Sequence, residues 1–145
     1  MSAAWMYFDA SALVKRYGRE PGSVRVVSLL RRSRLLSSAI APLEILSALF
    51  RRRSAGQFGD RDLRAAVTRM VADRARWELI GLTSLVLDRA EALMSERRLL
   101  PLDAVHMASA LAFHEETGSR LRFVTADSRQ RAAAERCGLP VVWVG

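Results

Sequence analysis

The chain has one cysteine, Cys137, one lysine, Lys15, and two histidines. That poverty excludes an internal disulfide framework and any sulfur-rich or imidazole-rich zinc site. A lone thiol fits a reduced, cytoplasmic setting. With four prolines and eight glycines in 145 residues, no segment is rich enough in either to act as a linker. One domain spanning residues 1–145 is therefore expected, and a chain of this length buries roughly 68–70% of its unfolded surface. No uncharged apolar run approaches the roughly 20 residues that a membrane helix needs. The first apolar run lacks a preceding basic segment and is broken by Asp9, so neither a signal peptide nor a membrane partner is expected.

Negative charge is also scarce. Twenty-three basic residues face fifteen acidic ones, for a formal net charge of +8. Such an excess favours a polyanionic partner, because neutralised phosphates release their counterions. All basic residues except Lys15 are arginine, which also fits a compositional bias of the genome. Arg31, Arg32 and Arg34, and the run Arg51 to Arg53, suit either a phosphate backbone or solvated helix ends. Lys15 and Arg16 read as solvated charge.

What is present alternates strand with helix. Short apolar runs at Trp5–Phe8, "LLSS", "WELIGL", "LRFVTA" and "PVVWV" read as strands. Helical spacing connects them: Ser11 to Tyr17, then "SVRVVSLLRR" with Val24, Val27 and Leu30 on one face. Next come "LEILSALFRRRS" with Leu43, Leu46 and Phe50, and "DLRAAVTRMVADRA" opened by Asp60. "LVLDRAEALMSERR" follows, capped by Thr83. A long helix runs from Pro101 to Gly118, and the last covers "SRQRAAAERCG". Met70, Met94 and Met107 read as core or interface filler, and the three tryptophans as buried. This order implies an α/β domain around a mostly parallel sheet, whose ligands bind at the carboxyl ends of the strands.

Four acids fall at that edge. Asp9 follows the first strand, Glu44 and Asp103 lie in first helical turns, and Asp127 closes "FVTAD". Each has a structural alternative. Asp9 suits a turn, Glu44 suits a helix dipole, and Asp127 with Gln130 suits a capping box. Asp103, between Leu102 and Ala104 in a helix that must be largely buried, is hardest to explain structurally. Asp62, Asp73, Glu91, Glu115 and Glu116 read as solvated surface. Four carboxylates brought together would raise one another's pKa values unless a cation neutralised them. An all-oxygen set favours Mg²⁺ or Mn²⁺ over zinc, and an acidic metal pocket on a basic protein suits phosphodiester cleavage.

"DASALVKRY", the isolated Glu44, "LPLDAVHMASA" and "FVTAD" together resemble the PIN-domain ribonucleases, and among them the VapC-type toxins of toxin–antitoxin pairs. The likeness runs in order over nearly the whole chain. It implies a three-layer α/β/α sandwich around a mostly parallel five-stranded sheet. It implies that Asp9, Glu44, Asp103 and Asp127 hold one or two Mg²⁺ or Mn²⁺ ions for RNA hydrolysis, with Ser11 and Thr125 orienting carboxylates or bound water. It further implies a homodimer and a cognate antitoxin protein laid over the active-site groove. For His106, one turn after Asp103, a satisfied helix histidine is the expected role. Other readings are weaker on the residues. An aspartyl phosphatase needs a second acid where Ser11 stands, and a phosphoacceptor domain needs a lysine after a late strand. A catalytically silent RNA- or antitoxin-binding module stays open.

Overall fold

In the first strand, β1 (Trp5–Phe8), successive side chains point to opposite sides of a pleated sheet, and both sides are covered. Tyr7 packs on one side and Met6 and Phe8 on the other, all three buried. A strand buried on both faces belongs in the middle of a parallel sheet. In the computed structural model, which describes residues 3–145, β1 has that position. Four further strands, β2 (Arg34–Ser38), β3 (Glu78–Ile80), β4 (Arg122–Thr125) and β5 (Val141–Trp143), complete a five-stranded sheet of order β3-β2-β1-β4-β5. All pairings are parallel, with Tyr7 level with Leu36 on one side and Phe123 on the other.

Among the described residues, seven α-helices cover the sheet in two layers. Helices α1 (Ala10–Leu13), α2 (Ser23–Arg31), α3 (Ala41–Ser54) and α4 (Asp60–Asp73) enclose one core, which includes Met6, Phe8, Leu13, Val26, Ile45, Leu49 and Met70. Helices α5 (Ser84–Arg97), α6 (Pro101–Thr117) and α7 (Ser128–Arg136) enclose the other, around Tyr7, Leu36, Met107 and Phe123. A bidentate Arg89–Glu115 pair at 2.5 and 2.7 Å ties α5 to α6. Pro101 starts α6, and Gly118, at φ 68°, ends it in the left-handed region that glycine adopts without a Cβ clash. Thr83 caps α5 by accepting from the Val86 amide at 3.2 Å. No helix among the described residues is long and apolar enough to cross a membrane.

Several sequence readings change. The first helix begins one residue early, with Asp9 as its cap, and tightens into a 3₁₀ turn at Val14–Arg16. The buried face of α2 holds Val26 and Leu29, while Val24 is 86% exposed. On α3 the core takes Ile45 and Leu49, whereas Leu43 and Phe50 face outward. Leu30 and Leu46 of the expected faces do pack against the core; both helices carry apolar residues over a wide arc, so spacing alone set the faces off centre. Lys15 is buried, with Nζ 2.8 Å from Glu20 and donating to the Pro21 carbonyl at 2.5 Å. Asp73 is half-buried and accepts from the Tyr17 hydroxyl at 2.6 Å. Met70 and Met107 are core, Met94 is exposed, and the three tryptophans are only half-buried.

The α3 register can be tested directly. Ile45→Ala or Leu49→Ala should cost about 2–5 kcal/mol in urea unfolding, as buried aliphatic truncations do. Leu43→Ala should stay within about 0.5 kcal/mol. The reverse order would put the helix face wrong.

Candidate active site

β1 and β4 end side by side, with the Asp9 amide donating to the Val124 carbonyl at 3.2 Å. Chain connections run outward in both directions from β1, so this point is the sheet's topological switch, where a crevice opens at the carboxyl ends. Asp9 occupies it with only 2% of its surface exposed. Its Oδ1 accepts from the Ala12 amide at 3.1 Å, capping α1, and from Ser11 Oγ at 2.6 Å. Its Oδ2 accepts from Thr125 Oγ1 at 2.5 Å.

The two hydroxyls are fixed in turn. Ser11 Oγ accepts from the Ala126 amide at 2.9 Å, and Thr125 Oγ1 accepts from the Asp127 amide at 3.0 Å. The tip of β4 is thereby fastened to the tip of β1. Burial pushes the Asp9 carboxyl above its ordinary pKa; His106 and the hydrogen bonds pull the other way without cancelling it.

Glu44 comes from the first turn of α3 and Asp103 from the first turn of α6. Glu44 is held by His106, whose Nε2 lies 2.6 Å from its Oε1. On the other side, His106 Nδ1 lies 2.8 Å from the Tyr7 hydroxyl. Burial keeps the Tyr7 phenol protonated by raising its pKa well above normal. The phenol and the Glu44 carboxylate thus hold the two ring nitrogens of His106 from opposite sides. His106 is 1% exposed, and through it the chain Tyr7–His106–Glu44 runs from the core beneath β1 to the site. Sequence reading gave His106 no such task. Its place one turn after Asp103 was the available signal; the strand residue below it was not.

Asp103 is 8% exposed. Its pKa is raised, first by burial and then by the charge of Asp127, with Glu44 adding to the rise; Arg129 and His106 oppose it. Arg129 Nε lies 3.8 Å from Asp103 Oδ2 and 3.9 Å from Asp127 Oδ1, so one guanidinium serves both acids. Asp127 also caps α7, accepting from the Arg129 amide at 2.8 Å. The expected capping box is not formed. The amide of Asp127 goes to Thr125, and Gln130 Oε1 is buried without a hydrogen-bond partner among the described residues.

The structure thus brings Asp9, Glu44, Asp103, Asp127, Ser11 and Thr125 to one rim. Among the described residues, no three acid or imidazole side chains are arranged as ligands of one ion. The donor chemistry nonetheless fits a hard dication. Every candidate donor is oxygen, and Asp9 and Asp103 carry raised pKa values that a nearby 2+ charge would relieve.

Comparison with known proteins adds a lineage. A PIN domain family model matches residues 6–136. The chain is 36% identical over 141 residues to Ribonuclease VapC46 of Mycobacterium tuberculosis (strain ATCC 25618 / H37Rv), covering 96% of this chain and 97% of that one. Two solved structures share the fold at low identity. A toxin–antitoxin complex from Klebsiella pneumoniae aligns with TM-score 0.66 at 18% identity, covering 97% and 98% of the two chains. VapBC2 from Rickettsia felis, bound to a DNA fragment from its promoter, aligns with TM-score 0.64 at 12% identity, covering 97% and 99%.

The raised carboxyl of Asp103 has a consequence for stability. The folded state holds that proton more tightly than the unfolded one, so the burial penalty is absent below about pH 3.9 and grows as pH rises through the folded pKa. In metal-free buffer, Asp103→Asn should therefore melt above the wild type at pH 8, with the gap closing toward pH 4. Each kcal/mol of relief corresponds to about 2–4 °C at this size. A variant melting below the wild type at pH 8 would contradict it.

Proposed function

Since the chain belongs to the PIN domain family, we propose that it is a metal-dependent endoribonuclease hydrolysing RNA phosphodiester bonds, the toxin of a toxin–antitoxin pair. The observation that carries this reading is the gathering of four acids at the switch point of a basic protein, two of them with raised pKa values. The near-full-length likeness to a named ribonuclease supports the choice of RNA.

In this reading Asp9, Glu44, Asp103 and Asp127 hold one or two Mg²⁺ or Mn²⁺ ions. When bound, such an ion polarises the phosphate and lowers the pKa of an attacking water. The chain's own groups prepare the place. Ser11 and Thr125 lock the Asp9 carboxylate from both sides, and His106 fixes the rotamer of Glu44. Arg129, 65% exposed, sits at the mouth with a guanidinium able to leave its two acids for a phosphate oxygen.

A second reading draws on the pairing of Asp103 and Asp127 with Arg129 and the hydrogen bond between Glu44 and His106, since acids already partnered by protein groups suit a silent RNA- or antitoxin-binding module. One nuclease domain spanning residues 1–145, a homodimer, a cognate antitoxin and a cytoplasmic location belong to the proposal. The titles of the structural neighbours, a toxin–antitoxin complex and VapBC2, support the antitoxin.

Purified protein should cut RNA with Mg²⁺ or Mn²⁺ and stop with chelator. Asp9→Asn and Asp103→Asn should each lose at least about 100-fold while staying folded, as when a preorganised charge-stabilising group is removed. Cleavage surviving both substitutions would remove the mechanism, and binding without cleavage by the wild type would favour the silent module.

His106→Ala should lower kcat by about 10–100-fold, the usual cost of losing a partner that orients a metal ligand. The metal concentration for half-maximal activity should rise with it. An unchanged metal requirement would show that Glu44 does not depend on His106.

A further inference from the structure

At the end of the sheet opposite the acids, the starts of β1, β2 and β3 border a cavity of about 670 Å³, closed by α2 and by the turn leading out of α4. Its volume falls in the range of about 300–1,000 Å³ typical of ligand sites. Its walls differ in kind from those of the acidic rim. Trp77, half-buried above the buried Tyr17, supplies aromatic surface, and Arg31 and Arg34 reach it from the end of α2 and the start of β2. Trp5 seats one of these cations, with the Arg34 guanidinium 3.7 Å from its ring centroid. Stacking of that kind holds an arginine in place before any partner arrives.

Of the two acids in the lining, Glu78 is exposed at the start of β3 without an ion pair among the described residues, and Asp73 is compensated. Asp73 is occupied by the Tyr17 hydroxyl, at 2.6 Å, and by Arg16 and Arg76, each at 3.6 Å. Arg31 and Arg34 are exposed and have no carboxylate within ion-pair distance among the described residues. The cavity therefore offers two guanidinium groups without a carboxylate partner, one of them stacked on Trp5, beside the half-buried Trp77. Aromatic faces with arginines are the chemistry that holds single-stranded nucleic acid, bases stacking while cations meet phosphates.

We propose that this cavity is a second RNA-binding site, holding a single-stranded nucleotide segment away from the acidic rim. Trp77 takes a base, and Arg31 and Arg34 take its flanking phosphates. The proposal rests on RNA being the substrate, yet concerns binding alone. It assigns a task to Arg31 and Arg34, which the sequence left between phosphate contact and solvated helix end. β1 is four residues long and rises about 3.3 Å per residue. The two sites therefore lie on opposite ends of one short strand, and a strand of RNA joining them must pass over the edge of the fold.

The test measures binding of a fluorescent, uncleavable 2′-O-methyl RNA 12-mer to the full chain in chelator, so that no result depends on cleavage. Arg31→Ser/Arg34→Ser, at two exposed positions, should weaken binding at least about tenfold and reduce the slope of log affinity against log salt by about 1.4, about 0.7 per lost phosphate contact on a single strand. Arg31→Lys/Arg34→Lys, which keeps the charge, should recover most of the affinity. Trp77→Leu should weaken binding with an unchanged salt slope, and RNA should quench tryptophan fluorescence in the wild type but less in this variant. Circular dichroism melts confirm that each variant is folded.

Wild-type affinity and slope in the double serine variant would overturn the proposal. So would a poly-glutamate peptide that binds the wild type as tightly as the RNA and loses affinity in the same variant. Loss of cleavage in Asp103→Asn with this binding intact is the expected separation of the two sites. A wild type that binds here and never cleaves would sink the nuclease reading while leaving this site standing.

Discussion

A carboxylate buried at the end of the central strand is the constraint around which the site is arranged. Taking Asp9 out of water is costly, and its pKa rises despite the amide and two hydroxyls that bond it. The fold accepts this because the same bonds do structural work. They cap α1 and fasten β4 to β1 through Thr125 and Ser11. An apolar residue at position 9 would relieve the burial penalty and undo the alignment of the two strand tips. The placement of this acid is therefore a compromise between stability and the chemistry that a crevice of carboxylates permits.

Around that anchor, charge compensation is uneven. Glu44 has a dedicated partner in His106, which is itself braced by Tyr7 from within the core. Asp103 and Asp127 share one largely exposed arginine, contacted at the outer limit of ion pairing. The guanidinium itself is largely in water and neither contact is a close hydrogen bond, so Arg129 is a loosely held counter-ion. The rim thus holds one acid paired with His106, one locked by two hydroxyls and two loosely compensated by Arg129.

Much of this was legible in the chain because it depends on local pattern. Strand–helix alternation produced the all-parallel five-stranded sheet, and acids directly after strands or in first helical turns had to lie along its carboxyl edge. Readings failed where the answer depended on what packs from a distance. Val24 and Leu43 have helical spacing but point away from the sheet, because both helices are apolar over more than one stripe. Lys15 and Asp73 looked solvated until Glu20 and Tyr17 closed over them. Tyr7 and His106, 99 residues apart, form a pair that no local window contains. The cavity likewise joins four separate stretches of the chain, those of Trp5, Tyr17, Arg31 with Arg34, and Trp77.

The central claim is that the four acids act together as a divalent-ion centre. Titration of Mn²⁺ into the protein at neutral pH, followed by electron paramagnetic resonance, tests this apart from any RNA. The account predicts saturable uptake of one or two ions by the wild type and severe loss of that uptake in Asp9→Asn. No saturable uptake by the wild type, or the same uptake with Asp9 substituted, would contradict it.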